Sequence, residues 1–258
     1  MISVVKIGGN VIDDAAALDR FCRDFAALEG PKVLIHGGGA LASDLQLRLG
    51  QKPVKVEGRR VTDADTLQAV TMTFAGWCNK TIVALLQKYG CNAIGLAGCD
   101  GDVIRASRRA PRTLSDGLTK LDYGFVGDVR PDSVNASFIR ILIANGITPV
   151  FCAINHDGQG QLLNTNADTV ASSVAAALGG KLICCFEMDG VLLDRNDAAS
   201  VIPTIDRETF AQLRAEGKVD GGMLPKIENC LSAIDAGACG AVIKNASALL
   251  QDRGTEII

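Results

Sequence analysis

The sequence predicts an α/β fold in which one sheet carries helices on both of its faces. Short apolar runs alternate with segments whose apolar residues recur at helical spacing, and this alternation is typical of such a fold. The 258 residues suffice for one large domain or two small lobes. With 48% apolar and 21% charged residues, the composition is that of a globular protein, so extensive disorder is not expected.

Strands and helices follow one another along almost the whole chain. Runs rich in β-branched and apolar residues predict strands, whereas apolar residues three or four positions apart predict helices. The predicted strands are 2–7, 32–36, 92–96, 147–152, 181–186 and 239–243. The predicted helices are 14–28, 40–49, 63–89, 132–145, 167–178, 206–216 and 223–236.

The first helix illustrates the evidence for these assignments. Within residues 14–28, the side chains of Leu18, Phe21 and Phe25 recur at the spacing of one helix face. Asp13 is the expected N-cap, because a carboxylate at that position accepts hydrogen bonds from the first free N–H groups. Gly30, which a proline follows, is expected to stop the helix.

Two segments depart from this alternation. Residues 53–61 and 101–130 are richer in Gly, Arg and β-branched residues, with turn sequences at Glu57-Gly58 and Asp122-Tyr123-Gly124. We expect antiparallel ribbons there, near the substrate-binding end of the molecule. A new set of α/β elements begins near residue 180, which predicts two lobes, 1–179 and 180–258.

Charge and hydropathy argue against a nucleic-acid-binding protein and against a membrane protein. The formal net charge is −3, so the chain has no basic field for nucleic acid or for an anionic membrane surface. No uninterrupted apolar run approaches the roughly 20 residues that span a bilayer. The N-terminus enters a strand-like run and lacks the features of a signal peptide. We therefore expect a cytoplasmic protein with small-molecule substrates.

The cysteines and histidines predict neither a disulfide framework nor a metal site. The nine cysteines are odd in number, and none has the two-residue spacing of a zinc or redox motif. Most lie in apolar runs and are expected to be buried small side chains, consistent with a reducing compartment. The two histidines, His36 and His156, are expected to pack or to form hydrogen bonds rather than to catalyse.

Several common phosphate-binding and catalytic motifs are missing from the sequence. It contains no P-loop, no protein-kinase motif set, no dinucleotide-binding glycine fingerprint and no nucleophile elbow.

Two lysines beside glycine-rich turns are the most informative feature. Lys6 precedes Gly8-Gly9, and Lys226 follows Gly221-Gly222-Met223-Leu224-Pro225. Between them lie His36-Gly37-Gly38-Gly39 and the polar segment 164–168. Glycines at strand ends let backbone N–H groups approach phosphate oxygens, and lysines supply positive charge. The combination indicates a phosphate-handling enzyme.

The order of these motifs resembles that of the amino acid kinase family, and within it the N-acetylglutamate kinase branch. The motifs are Lys6-Ile7-Gly8-Gly9, His36-Gly37-Gly38-Gly39, Gly58-Arg59-Arg60-Val61-Thr62, Gly124-Phe125-Val126-Gly127, Asn164-Thr165-Asn166-Ala167-Asp168 and Gly222-Met223-Leu224-Pro225-Lys226. The resemblance implies a three-layer α/β/α sandwich with a mainly parallel sheet. Lobe 1–179 would bind the N-acylglutamate and form the dimer contact, and lobe 180–258 would bind ATP.

The resemblance implies ATP-dependent phosphorylation of the γ-carboxylate of N-acetyl-L-glutamate, an early step of arginine biosynthesis. A γ-carboxylate has a pKa near 4.3 and is already nucleophilic at neutral pH, so no general base is required. By resemblance, Lys6 would hold the transferring phosphoryl group and Lys226 would neutralise charge on the ADP leaving group. Asp168 would orient both ammonium groups. Mg²⁺ would arrive with ATP, bound mainly through the phosphates, and the protein itself would supply no metal site.

The resemblance also assigns binding residues. Gly38 and Gly39 would contact the acceptor, and Arg60 and Asn164 would bind its α-carboxylate end. Arg59 is expected to face away, because neighbouring strand residues point to opposite sides. Nucleotide contacts are expected at the following positions: Gly8, Gly9, Glu187, Asp189, Gly190, Val191, Leu192 and Gly222.

The sequence departs from the family pattern at two places near the nucleotide. The family usually has Ser or Thr followed by Asp or Asn after the strand 181–186, and this chain has Phe186-Glu187 instead. Asp220-Gly221 also replaces a Thr-Asp-like pair. The contacts with adenine and ribose are therefore less defined by the resemblance than the phosphate contacts.

Two alternative functions remain open at this stage, and the sequence also predicts an oligomeric state. N-succinyl-L-glutamate could be the acceptor, with its extra carboxylate met by one of five arginines: Arg59, Arg105, Arg108, Arg109 or Arg112. A non-catalytic metabolite-sensing relative with the same fold is the other alternative. The chain does not carry the N-terminal helical extension of the arginine-inhibited hexameric branch, so we expect a homodimer without arginine feedback.

Overall fold

A computed structural model describes residues 1–114, 116–194, 197, 200–219 and 221–258. In chain order its strands are β1 Ser3–Ile7, β2 Lys32–His36, β3 Lys55–Val56, β4 Arg59–Arg60, β5 Ala93–Leu96, β6 Ser107–Arg108, β7 Arg112–Thr113, β8 Lys120–Leu121, β9 Gly127–Asp128, β10 Thr148–Cys152, β11 Ile154–His156, β12 Leu162–Asn164, β13 Lys181–Phe186, β14 Thr204–Ile205, β15 Gly240–Asn245 and β16 Thr255–Ile257.

The α-helices alternate with these strands, as predicted. They are α1 Gly9–Asp13, α2 Ala15–Ala27, α3 Gly39–Arg48, α4 Ala64–Thr71, α5 Asn79–Lys88, α6 Ala136–Ala144, α7 Ala167–Leu178, α8 Arg207–Ala215 and α9 Leu224–Asp235. A π-helical segment, Met72–Cys78, joins α4 to α5, and short 3₁₀ turns lie at Asp100–Asp102, Pro131–Ser133, Gly221–Met223 and Ala246–Ala248.

Eight strands form one continuous sheet in the order β14-β16-β15-β13-β1-β2-β10-β5. Neighbouring strands in the described residues run parallel, except that β15 and β16 are antiparallel. The carboxyl ends of β1, β2, β10 and β13 therefore meet at one edge of the sheet, which is where ligands bind in open parallel sheets.

The apolar residues of the sheet fill two separate cores, one on each face. Val4 of β1 and Ile35 of β2 pack with side chains of α7 and α9. Val5 and Ile7 of β1 point the other way and pack with α2 and α5. Successive strand residues alternate between the two faces, so the strands are apolar throughout. This is the predicted three-layer α/β/α sandwich, and it is confirmed.

Most predicted elements are confirmed within one or two residues, and the differences have local causes. Asp14, not Asp13, caps α2, because its carboxylate accepts from the N–H groups of Ala16 and Ala17. Asp13 instead ends the short helix α1, which the sequence analysis did not predict. The predicted helix 63–89 contains the π-helical segment, and the predicted helix 132–145 begins only at Ala136.

The expected antiparallel ribbons are present. β3 pairs with β4, β6 with β9 and β7 with β8, all antiparallel. A further hairpin, β11 with β12, was not predicted. Across the expected lobe boundary, Gly179 ends α7 in the left-handed conformation and β13 pairs directly with β1, so one sheet spans both predicted lobes. The division of labour between 1–179 and 180–258 stays a prediction.

One continuous helical segment, Ala64–Lys88, is long and apolar enough to cross a membrane if judged by length and composition alone. The core helix of a folded domain passes the same test. Its residues Leu67, Val70, Ile82 and Leu86 are buried against other parts of this domain.

Candidate active site

Three adjoining cavities lie along the carboxyl edge of the sheet. We name them after the ligand groups that the resemblance would place there: the acceptor cavity, about 480 Å³, and the phosphoryl and base cavities, each about 260 Å³. The acceptor and phosphoryl cavities share Lys6 and Asp168 in their walls, and the phosphoryl and base cavities share Met188 and Lys226. The three therefore form one path, with the predicted catalytic lysines at its two junctions.

Lys6 stands at the first junction. It lies at the carboxyl end of β1 and is 7% exposed, and its Nζ is 2.7 Å from Oδ1 of Asp168. This contact is an ion pair without hydrogen-bond geometry, and Oδ1 of Asp168 has no hydrogen-bond partner within the described residues. Asp168 lies in the first turn of α7, whose N-cap Asn166 accepts from the N–H of Asp168 and of Thr169. The carboxylate is thus fixed by a capped helix end.

Lys226 stands at the second junction, in the first turn of α9. Its Nζ lies 3.9 Å from the ring centroid of Phe186, and Nζ of Lys6 lies 4.6 Å from the same centroid. Burial, and then the neighbouring positive charge of Lys6, lower the pKa of Lys226, whereas Asp168 raises it. The two lysines and Asp168, distant in sequence, are therefore brought together as the sequence analysis expected.

The glycine turns approach each other between the two lysines. Gly9 opens α1, and a Cβ built on it would lie 3.9 Å from the backbone nitrogen of Gly39. Gly38 has φ 147, and a Cβ there would lie 2.8 Å from Sγ of Cys78, so no larger residue fits. Gly39 opens α3. The N–H of Gly8 already donates to the carbonyl of Cys185, so the predicted phosphate contact of Gly8 is not available through that group.

Arg60 is a buried cation in the wall of the acceptor cavity. It is 8% exposed, and its guanidinium donates to Oε1 of Gln46, to Oγ of Ser43 and to the carbonyl of Gly39. All of these acceptors are neutral, and no carboxylate pairs with it in the described part of the chain. Burial lowers the pKa of Arg60. Both hydrogens of Nη2 and one of Nη1 are already donated, so a carboxylate would be bound by the remaining N–H groups of this held, unneutralised guanidinium.

Asn164 and His36 have defined hydrogen bonds near the acceptor cavity. Asn164 lines this cavity, and its Nδ2 donates to Oγ1 of Thr62, which leaves its carbonyl oxygen for other donors. His36 is fully buried, and burial lowers its pKa to about 4. Its Nδ1 donates to the carbonyl of Gly37, and its Nε2 accepts from the amide of Asn79. The geometry agrees with the expected packing role of His36.

The prediction that Arg59 faces away is wrong, because Arg59 lines the acceptor cavity beside Arg60. The ribbon of β3 and β4 is only two residues long in each strand, and Lys55, Arg59 and Arg60 all line the cavity, so both of its faces reach the cavity. Arg59 has no ion-pair partner in the described ranges, and burial lowers its pKa, as do Arg109 and Arg112 nearby.

The four other arginines named for an extra substrate carboxylate are already paired with acidic residues. The pairs are Arg105 with Asp102, Arg108 with Asp122, Arg109 with Asp128 and Arg112 with Glu57. Among the five candidates, Arg59 is therefore the one with no carboxylate at ion-pair distance in the described residues.

The predicted nucleotide segment divides into cavity-lining and supporting residues. Glu187 lines the phosphoryl cavity, and Val191, Leu192 and Gly222 line the base cavity. Asp189 accepts from Nδ2 of Asn245 rather than lining these cavities.

Gly190 is required for close packing beneath this segment. It has φ 158, and a Cβ there would lie 2.7 Å from Oγ1 of Thr255. Asp220, one of the two positions at which the sequence departs from the family pattern in 220–221, lies outside the described residues.

Sequence reasoning missed several residues that shape the site. Gln46 and Ser43 hold Arg60, and Phe74 packs in the acceptor cavity wall. Phe186 was noted as a departure from the family, but its contact with both lysines was not predicted. A signal existed for Ser43 and Gln46, because they lie four and seven residues after Gly39 and so on one helix face.

Comparison with known proteins agrees with this geometry. The model of the amino acid kinase family matches residues 1–245. An acetylglutamate kinase of Phocaeicola vulgatus is 48% identical over 260 residues, covering 99% of this chain and 98% of that protein. One of Bacteroides thetaiotaomicron is 47% identical over 260 residues, with 99% of this chain and 98% of that protein covered.

A solved structure supports the same fold. The N-acetylglutamate synthase of Neisseria gonorrhoeae, complexed with coenzyme A and N-acetyl-glutamate, superposes with a TM-score of 0.81 at 23% identity. The match covers 99% of this chain and 59% of that chain, and at this identity it bears on the fold alone. Since the family model spans nearly the whole chain and relatives close to half-identical span all but a few residues, the chain belongs to the amino acid kinase family.

Proposed function

We propose that this protein transfers the γ-phosphoryl group of ATP to the γ-carboxylate of N-acetyl-L-glutamate, in arginine biosynthesis. The product is N-acetyl-L-glutamyl 5-phosphate. The observation that carries the proposal is the convergence of Lys6, Asp168 and Lys226 between a cavity with a buried arginine and a largely apolar cavity. The acetylglutamate kinases to which the chain is close to half-identical support the same reaction.

The acceptor is bound by charge at one end and by the glycine turn at the other. The guanidinium of Arg60 takes the α-carboxylate, with the carbonyl oxygen of Asn164 available for the N–H of the acyl amide. The γ-carboxylate then reaches the turn at Gly38 and Gly39, beside Lys6. A carboxylate with a pKa near 4.3 is ionised at neutral pH, so binding and alignment replace a general base.

The two lysines act on opposite sides of the migrating phosphoryl group. Lys6, held by Asp168, reduces the repulsion between the incoming carboxylate and the phosphoryl oxygens. Lys226, at the junction with the base cavity, neutralises the charge that develops on the ADP oxygen. Phosphoryl transfer depends on alignment and electrostatic stabilisation of this kind.

The remaining residues fit a nucleotide and its metal. The base cavity is largely apolar, with Met188, Val191, Leu192 and Met223 in its wall, which suits an adenine ring. Within the described ranges no cluster of three acidic, histidine or cysteine side chains could hold a metal ion. Asp168 is already paired with Lys6, so the donors fit a Mg²⁺ ion held by ATP phosphates and water. When bound, Mg²⁺ neutralises phosphate charge.

A hydroxamate assay tests the proposal directly. The acyl phosphate is trapped by hydroxylamine in reactions with Mg-ATP and one acceptor at a time, namely N-acetylglutamate, N-succinylglutamate or free glutamate. We expect more hydroxamate with N-acetylglutamate than with N-succinylglutamate, and none with free glutamate. If no acceptor gives hydroxamate while ATP and the N-acylglutamates still bind by calorimetry, the alternative of a non-catalytic sensor replaces the kinase.

N-succinyl-L-glutamate is the second candidate acceptor, and Arg59 is the observation that favours it. A succinyl group adds a carboxylate, and Arg59 offers an unmatched positive charge in the same cavity as Arg60. If the succinyl compound is the substrate, Arg59→Gln raises its KM by about 10-fold or more and leaves the KM for N-acetylglutamate unchanged. An equal effect on both acceptors, or no effect, refutes this role. Arg108→Gln is the control, because Arg108 is exposed and paired with Asp122.

The expected homodimer is also a proposal. Strand β5 is an edge of the sheet, and Ile94 on it is 37% exposed. Trp77 and Met72 lie on the π-helical segment that leads into α5, the helix that packs on β5. They are 70% and 50% exposed, and an aromatic and a methionine are favoured in interfaces. We expect light scattering to give twice the monomer mass and Trp77→Asp to give the monomer. An unaltered mass for Trp77→Asp refutes this surface as the contact. The cytoplasmic location stays a prediction.

A further inference from the structure

The ring of Phe186 lies where the two lysines of the phosphoryl cavity meet. Phe186 ends β13, is half-buried and lines this cavity. Nζ of Lys226 and Nζ of Lys6 lie 3.9 and 4.6 Å from its centroid, within the range of cation–π attraction. Because both distances are measured to the same centroid, the distance between the two ammonium nitrogens cannot exceed the sum of the two.

In the described residues, no carboxylate lies within ion-pair distance of the ammonium group of Lys226. Two ammonium groups face one fixed carboxylate, Asp168, which lies 2.7 Å from Lys6. The other groups that act on Lys226 are the exposed carboxylate of Glu187 and the buried thiol of Cys184. An aromatic face presents the negative part of its quadrupole to a cation, and this attraction strengthens where water is excluded.

We propose that Phe186 is a positioning residue for phosphoryl transfer, whose ring holds the ammonium groups of Lys6 and Lys226 together at the phosphoryl cavity before ATP binds. This inference rests on the proposed function for its catalytic consequence. The ring has no group that could donate a hydrogen bond to a phosphate, so it acts through the lysines.

The ring also covers the backbone turn that follows β1. Its Cδ1 lies 3.7 Å from the point where a Cβ on Gly8 would be, and the adjoining N–H of Gly8 donates to the carbonyl of Cys185. Lys6 lies in β1 two residues before this turn, and the ring lies within 4.6 Å of its ammonium group, so the ring limits the directions open to that group. Strand β13 thereby links the acceptor side of the site, through Lys6, with the nucleotide side, through Lys226.

A purely packing role for Phe186 makes different predictions from an electrostatic one. Phe186 contacts the larger of the two cores, so its volume contributes to packing whatever its charge distribution. Fluorine substitution on the ring weakens the quadrupole with little change in size. A packing role therefore predicts no dependence on the number of fluorine atoms, whereas the proposed role predicts a graded one.

The first measurement does not depend on catalysis. Lysine side chains are labelled with ¹³C at Cε, the signal of Lys226 is identified by its loss in Lys226→Arg, and its pKa is followed by NMR in the ligand-free protein. We expect the pKa of Lys226 to fall by about 0.5 or more in Phe186→Leu, because the charged form loses the ring's attraction. Phenylalanines with one, two and three fluorine atoms at this position should lower it stepwise.

The second measurement is turnover with Mg-ATP and the preferred N-acylglutamate. We expect Phe186→Leu to lower kcat by about 3- to 30-fold with little change in the KM of the acceptor, and Phe186→Tyr to restore most of kcat. The fluorinated series should follow the order of the NMR series. Phe210 on α8 is the control position for fluorination, because no cation lies over its ring in the described residues.

The outcomes separate the two proposals. A graded fall in the pKa of Lys226 with unchanged urea unfolding supports the inference even if no acceptor is phosphorylated, in which case only the kinase function fails. A pKa that is the same in wild type, Phe186→Leu and the fluorinated proteins overturns the inference, and so does a kcat that is insensitive to fluorine.

Discussion

The buried guanidinium of Arg60 offers the most quantitative prediction about the acceptor. Its three hydrogen bonds, to Gln46, Ser43 and the carbonyl of Gly39, fix the guanidinium plane in the cavity wall. Lys at this position keeps a positive charge but cannot donate two parallel hydrogen bonds to a carboxylate. A hydrogen bond to a charged group contributes about 1.5–3 kcal/mol, so loss of one such bond raises the acceptor KM by about 10- to 150-fold.

The assay for this prediction is steady-state kinetics of hydroxamate formation, with the acceptor varied at saturating Mg-ATP. Arg60→Lys should show the higher acceptor KM with the KM for ATP unchanged, and Arg60→Ala should show a larger rise. Arg108→Lys is the matched control, because Arg108 is exposed and paired with Asp122. Urea unfolding separates a binding defect from a loss of folded protein. An acceptor KM for Arg60→Lys within twofold of wild type would refute the role assigned to the guanidinium.

Two further predictions concern the core of the site. Burial lowers the pKa of His36 to about 4 from 6.5, so between these pH values the unfolded chain binds one more proton than the folded protein. The free energy of unfolding therefore decreases as the pH is lowered, by about 2 kcal/mol from pH 7 to pH 5. Urea unfolding of His36→Gln should therefore lose less stability over that interval, and an equal loss would contradict the argument. Gly38→Ala should cost about 1–3 kcal/mol and most of the activity, because its Cβ would meet Cys78 and Phe74. Gly50→Ala, with φ 75 but open space around it, carries backbone strain without a clash, so it should cost some stability and leave activity unchanged.

The parts of the fold and site that the sequence predicted are those that depend on local pattern. The apolar run ending in Lys6 predicted β1, and the helical spacing over 167–178 predicted α7, whose cap by Asn166 the sequence analysis did not identify. Gly38 was predicted as a turn residue, although the clash that excludes a side chain there depends on Cys78, distant in sequence.

The parts that the sequence could not predict depend on tertiary contacts. The side on which Arg59 points is set by where a two-residue ribbon lies on the domain, and strand alternation alone gave the wrong answer. The contact of Phe186 with Lys226 joins a strand end to a helix 40 residues later, and no local pattern encodes it. The hairpin Ile154–His156 with Leu162–Asn164 was missed because its three-residue strands carry Asn and His instead of a longer apolar run.

The most direct test of the central claim is the kinetic consequence of removing the ammonium group of Lys226. If this group stabilises charge on the ADP leaving group, Lys226→Ala lowers kcat by about 10²- to 10³-fold and changes the KM for ATP by no more than about threefold. Lys88→Ala is the matched control, since Lys88 is exposed, pairs with Asp19 and lines none of the three cavities, and it should keep its kcat. A Lys226→Ala enzyme with the turnover of wild type would contradict the account.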